Sequence, residues 1–201
     1  MKIRVPLFIV FEGIDGSGKS TLAKKVHGIF SCHVPSVLLS EPTDGKWGRK
    51  IRELIKEPKG AEVSVLLDLF IRDRGGDVRK NILPALSQGK VVIMDRYMHS
   101  NAAYQGTDAI SPREIIAMNL AKHFPLPHRV YLIDIDEKTA LSRIYGRRNG
   151  MECFEKAETL HAIRKNYHSL VDETFCVLDG TKRPHILVEE VMQDIEHNFG
   201  L

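Results

Sequence analysis

Residues 8–22 read FIVFEGIDGSGKSTL, an apolar run that leads straight into Gly13-Ile14-Asp15-Gly16-Ser17-Gly18-Lys19-Ser20. That is a complete G-x-x-x-x-G-K-[ST] phosphate loop. Glycines let the backbone curl so that successive N–H groups converge on phosphate oxygens. Lys19 brings a point charge for the outer phosphates, and the Ser20 hydroxyl suits a Mg2+ ion. A helix starting here adds the positive end of its dipole. The motif needs a strand before it and a helix after it. Both are legible, as an apolar run up to Phe11 and an amphipathic pattern to about Phe30. The loop implies a nucleoside triphosphate gripped by Gly13, Ile14, Asp15, Gly16, Ser17, Gly18, Lys19, Ser20 and Thr21. A glycine turn that only joined strand to helix would leave Lys19-Ser20 unexplained.

The rest of the chain sets bounds on this reading. Its 201 residues suit one α/β domain, residues 1–201, with a short lid insertion around 143–154. No apolar run approaches the ~20 residues that cross a bilayer, so no membrane association is expected. The apolar stretch near the N-terminus flows into the phosphate loop, not into a cleavage site, and reads as the first strand. Three scattered cysteines, Cys32, Cys153 and Cys176, show no C-x-x-C spacing. A reduced, cytoplasmic protein without disulfides or structural zinc is the expectation. The formal net charge of +3 is too mild to imply nucleic acid.

Five apolar runs stand out as strands, at 3–11, 34–39, 90–94, 129–135 and 185–188. Helical patterns separate them, which predicts a parallel sheet with helices on both faces. Helices are expected at 45–56, ended by Pro58, and at 61–74 and 78–87, with Gly75-Gly76 breaking or bending the chain between them. Ser111-Pro112-Arg113-Glu114 is a capping box with proline at the first helical position. Asp136 caps 137–148, a long helix follows at 155–175, and the last spans 189–198.

The strand 91–95 ends in Asp95, an acid placed to hold Mg2+ through water in a phosphate-loop enzyme. Asp95 opens the run DRYMHSNAAYQG, residues 95–106. An arginine beside that acid suits a second anionic group close to the transferred phosphoryl. This run, together with FEGIDGSGKST, resembles the thymidylate kinase family of nucleoside monophosphate kinases. The resemblance continues through Glu41-Pro42-Thr43, Leu69-Phe70-Ile71-Arg72-Asp73-Arg74, Asp134-Ile135-Asp136 and Arg143…Arg147-Arg148, in order along nearly the whole chain. It implies the P-loop NTPase three-layer fold: a five-stranded parallel sheet, flanking helices and a short lid. It also implies transfer of a phosphoryl group from ATP·Mg2+ to dTMP, and a homodimer.

Residue by residue, the resemblance gives Asp15 the acceptor's 3′-hydroxyl, Phe70 the face of thymine and Arg74 a thymine carbonyl. Arg96 becomes the acceptor-phosphate clamp. Ser100 and Gln105 take the base edge, and Tyr104 lies against the 2′ carbon of the sugar. Spacing alone leaves blander readings open: Phe70 aligns with Leu66 and Leu67 as core, and Arg74 as a solvated helix end.

Arg143, Arg147 and Arg148 form a cluster between flexible glycines. The phosphate loop carries no arginine, so within the family pattern the lid must supply the catalytic one. Arg143 and Arg147, one turn apart, are favoured, with Lys19, Arg96 and Asp95 completing the catalytic set. Some positions depart from the pattern: Ser40 stands where many members have arginine, Asp77 where histidine is usual, and His128 where an acid follows Pro127. Lys46 and Arg49 are candidate substitute cations. Two rivals remain: a kinase for another monophosphate such as dUMP or UMP, and a nucleotide-binding switch without acceptor chemistry.

Overall fold

A computed structural model describes residues 6–57, 61–145 and 152–200. Its centre is a five-stranded sheet of β1 (Leu7–Glu12), β2 (Ser36–Ser40), β3 (Val91–Asp95), β4 (Arg129–Asp134) and β5 (Phe175–Asp179), in the order β2-β3-β1-β4-β5. Every neighbouring pair is parallel. The phosphate-loop strand β1 is central and buried along its whole length. Its residues alternate between two cores. Leu7, Ile9 and Phe11 face α1 (Lys19–Ser31) and α9 (Pro184–Phe199), meeting Leu22, Val26, Phe30, Leu187, Val191 and Ile195. Phe8 and Val10 face the opposite layer with Val78, Ile82 and Met98. Burial on both faces is why the strand reads as an unbroken apolar run.

The remaining helices are α2 (Lys46–Ile55), α3 (Val63–Asp77), α4 (Leu83–Ser87), α5 (Met98–Gln105), α6 (Pro112–Leu120), α7 (Glu137–Tyr145) and α8 (Glu152–Ser169). The capping box forms as expected, with Ser111 Oγ accepting from Glu114 N–H and Glu114 returning to Ser111 N–H. Asp136 accepts from Thr139 N–H at the start of α7. No helix among the described residues is long and apolar enough to cross a membrane. Cys32 and Cys176 are free thiols.

Two expectations fail. The fifth strand is not 185–188, which lies inside α9, but Phe175–Asp179. Pro184 is the first residue of that helix, and Leu187, Val191 and Ile195 follow at i, i+4 and i+8, so the local apolar run is one turn of a buried stripe. The long helix accordingly stops at Ser169. Gly75-Gly76 does not break the chain either: α3 runs through both to Asp77 and continues into a π-helical turn, Val78–Ile82. Gly75 is buried, and a Cβ there would lie 3.5 Å from the Phe124 ring. That is an ordinary van der Waals distance, so the helix passes through Gly75 without strain.

These assignments predict opposite outcomes at two helical glycines. A Cβ on Gly76 meets nothing within 4 Å, so Gly76→Ala should raise stability by about 0.5–1 kcal/mol. A Cβ on Gly48 would fall 1.9 Å from the Thr43 carbonyl oxygen, so Gly48→Ala should cost about 1–3 kcal/mol. Urea denaturation of both variants checks this, and a destabilised Gly76→Ala would contradict a continuous α3.

Candidate active site

In a parallel sheet, ligands collect at the carboxyl ends of the strands where the strand order reverses. Here β1 is flanked by β3 and β4, and the pairing sets Phe11 opposite Asp95. Two segments therefore emerge side by side: the phosphate loop after β1, and 96–105 after β3.

Gly13, Gly16 and Gly18 adopt φ of 146°, 81° and 94°. At Gly16 a Cβ would sit 2.7 Å from the Ala140 carbonyl oxygen, so a side chain is excluded twice over. Gly18 precedes α1, and no side chain caps that helix. Apart from a long 3.4 Å bond from Lys19 N–H to Ser17 Oγ, its first turn offers N–H donors, as an anion site requires. Lys19 is 6% exposed, with Nζ 3.5 Å from the Ile14 carbonyl and 3.6 Å from Asp15. Burial pulls its pKa down to about 8 and Arg96 adds to this, while Asp15, Asp95 and Glu12 oppose it. Ser20 is half-buried and Thr21 exposed. On β3, Asp95 Oδ1 is buried without a hydrogen-bond partner. An orphaned carboxylate oxygen beside a phosphate loop fits a hydrated divalent cation.

Arg96 is the hub of the second segment. Its guanidinium pairs with Asp15, donates to Ser100 Oγ at 3.0 Å and to Tyr104 Oη at 3.1 Å, and lies 4.9 Å from the Tyr104 ring centre. Its backbone has φ of 72°, left-handed for a side chain with a Cβ, which costs about 1–2 kcal/mol. Burial would lower the Asp15 carboxyl's affinity for charge, but Arg96 and Lys19 outweigh it and hold its pKa below the usual carboxylate range. Burial pushes the Tyr104 phenol up to about 12, so it stays protonated.

These groups open onto a cavity of about 200 Å3. Asp15, Arg96, Ser100, Tyr104 and Gln105 line it together with Phe70, Arg74, Glu41, Pro42 and Ile55. Arg74 is not a solvated helix end: it is 1% exposed and lies 5.0 Å from the Tyr97 ring centre. Its Nη1 donates to Asn119 Oδ1 and its Nη2 to Glu41 Oε2, both at 2.5 Å. Its Nε and Glu41 Oε1 are buried without partners. Burial lifts the Glu41 carboxyl to about 7, against the opposing pull of Arg74. Phe70 is half-buried at the cavity wall, not deep in the core.

Arg143 reaches the far side of the phosphate loop. It donates to the carbonyls of Gly16 at 3.3 Å, Ser17 at 3.2 Å and Gly180 at 2.9 Å. Arg147 and Arg148 lie outside the described residues. Lys46 sits 4.6 Å from the Trp47 ring centre and Arg49 bonds the Asp44 carbonyl, and neither lines the cavity. His128 accepts from Phe8 N–H, near the start of β1 and away from the carboxyl ends.

Sequence reasoning overlooked Glu12, Tyr97, Asn119 and Tyr167. Glu12 could have been suspected, because an acid closing an apolar strand must find partners when buried. The other three carry no local signal.

The family model described as thymidylate kinase matches residues 11–195. A thymidylate kinase of Leptospira borgpetersenii serovar Hardjo-bovis is 40% identical over 201 residues, spanning 100% of this chain and 98% of the relative. One from Leptospira interrogans serovar copenhageni is 37% identical over 194 residues, 96% of this chain and 95% of its own length. A probable thymidylate kinase of Archaeoglobus fulgidus is 39% identical over 196 residues, 97% of each chain. With its phosphate loop and the Arg96 segment joined at one cavity, the chain belongs to the thymidylate kinase family.

Proposed function

We infer that this chain transfers the γ-phosphoryl group of ATP to dTMP, giving ADP and dTDP. The observation that carries the reading is the hydrogen-bonded link from Asp15 of the phosphate loop through Arg96 to Tyr104 and Ser100, along the wall of one cavity. A donor held by residues 13–21 and an acceptor phosphate on Arg96 would meet end to end. The acceptor oxygen is already anionic, so no protein base is needed, and catalysis is positioning plus charge stabilisation. Lys19 meets the outer phosphates of the donor. Asp15, freed from Arg96 by the incoming phosphate, is available to the sugar hydroxyl.

Phe70 offers a face to the pyrimidine. Arg74 keeps spare N–H donors for a ring carbonyl, because Glu41 and Asn119 occupy only part of its fork. Ser100 and Gln105 border the same space, and Tyr104 stands beside Arg96 where the sugar would lie. Ser20 and Asp95 are the residues that would hold Mg2+, which when bound draws charge from the phosphate oxygens. Arg143 and Arg147 are the proposed lid cations. Arg143 would exchange the Gly16 and Ser17 carbonyls for phosphate oxygens once the donor arrives, since a charged acceptor competes well with a neutral one.

A cytoplasmic homodimer is part of this proposal. Exposed Met118, Leu120 and Leu126 support a covered face, and sedimentation at micromolar concentration should give twice the 22.7 kDa chain mass.

Two kinetic outcomes follow. In a coupled ADP-release assay dTMP should be the best acceptor among dTMP, dUMP, UMP, CMP and thymidine; equal use of UMP would remove Tyr104 from its sugar role. Arg96→Ala should raise KM for dTMP roughly tenfold or more, the loss of a charge-assisted hydrogen bond, with a much smaller change for ATP. Equal effects on both substrates would move Arg96 away from the acceptor.

A further inference from the structure

Glu12 is fully buried and lies one residue before the phosphate loop begins. Its carboxylate does not turn toward the loop. Oε1 accepts from Tyr97 N–H at 2.8 Å and Ser100 N–H at 3.1 Å. Oε2 accepts from the Ser100 hydroxyl and from Tyr167 Oη at 3.0 Å. Helix α5 has no capping side chain of its own. Glu12 supplies that cap from another strand and adds a negative charge at the helix N-terminus.

The residue just before this cap is Arg96, with its left-handed backbone. Its own N–H is held by the Phe11 carbonyl at 3.0 Å. The last two residues of β1 thus grip residues 96 and 97 from one side, Phe11 through its carbonyl and Glu12 through its carboxylate. The side chain is governed as well. The Ser100 hydroxyl donates to Glu12 and lies 2.8 Å from Tyr167 Oη, an arrangement that leaves a lone pair to accept from Arg96 Nη1 at 3.0 Å.

We propose that Glu12 is a positioning residue for the acceptor phosphate: its buried carboxylate fixes the backbone turn and the Ser100 hydroxyl that together aim the Arg96 guanidinium. This rests on the acceptor reading above. It goes beyond that reading by making a residue that touches no substrate a determinant of acceptor use.

Glu12→Gln tests it. Glutamine keeps the volume and one acceptor oxygen, but its amide N–H2 replaces one carboxylate oxygen. With that amide toward Ser100, the hydroxyl accepts from it instead of donating, one of its two lone pairs is taken up and its proton turns to Tyr167 Oη at 2.8 Å, so the acceptor direction offered to Arg96 changes. KM for dTMP should rise at least fivefold, KM for ATP should change less than twofold, and the melting temperature should stay close to that of the parent. In a double-mutant cycle, Glu12→Gln added to Arg96→Ala should produce no further loss in dTMP use, because the first acts through the second. Additive losses, or equal effects on dTMP and ATP, would overturn the proposal. If Arg96→Ala itself leaves dTMP use intact, the acceptor reading fails instead. Should Glu12→Gln not fold, Ser100→Ala cuts the same relay one step later. A selective dTMP loss that is non-additive with Arg96→Ala supports the relay, and an additive or unselective loss overturns it.

Discussion

The pairing of Phe11 with Asp95 across β1 and β3 is the constraint on which the rest depends. Parallel neighbours deliver their carboxyl ends to the same edge of the sheet, and this register makes the two ends level. The phosphate loop and the Arg96 segment therefore begin side by side. The chain needs no long connection to join them: the Asp15–Arg96 pair, the Phe11 carbonyl on Arg96 N–H and the Glu12 cap tie them together. Burial of β1 on both faces keeps that register from slipping, because a shift by one residue would exchange its two cores.

The phosphate loop was legible in the sequence because it is local. Glycines at positive φ, a lysine and a hydroxyl at fixed spacing describe one turn of backbone. The capping box at Ser111 was legible for the same reason. The surroundings of Arg96 were only partly so. Arg96, Ser100, Tyr104 and Gln105 lie within one short segment, and they do converge on one cavity. The partners that orient them come from far along the chain: Glu12 is 88 residues from Ser100, and Asn119 is 45 residues from Arg74. No periodicity reports such contacts.

The two errors of fold have related causes. Phe175-Cys176-Val177-Leu178 is itself an apolar run, but it lies just beyond the helical pattern of α8, and extending that helix to 175 took in the first residue of β5. The run at 185–188 belongs to a helix whose stripe becomes visible only over three turns. Gly75-Gly76 was read as a break because glycine is a poor helix former. The buried site at Gly75 shows what that propensity is weighed against: Arg74 must lie flat between Glu41, Asn119 and Tyr97, and α3 must be continuous to hold it there.

Buried charge is the common thread of the acceptor side. Arg74 with Glu41, and Glu12 with its four hydrogen bonds, are groups whose desolvation is repaid only through dense hydrogen bonding, whereas Asp15, paired with Arg96, stays more than half exposed. The most direct test is a crystal structure with dTMP and a non-hydrolysable ATP analogue. The account predicts the monophosphate within hydrogen-bond distance of the Arg96 guanidinium and the pyrimidine between Phe70 and Arg74. A nucleotide bound elsewhere, with Arg96 still closed on Asp15 and the cavity empty, would contradict it.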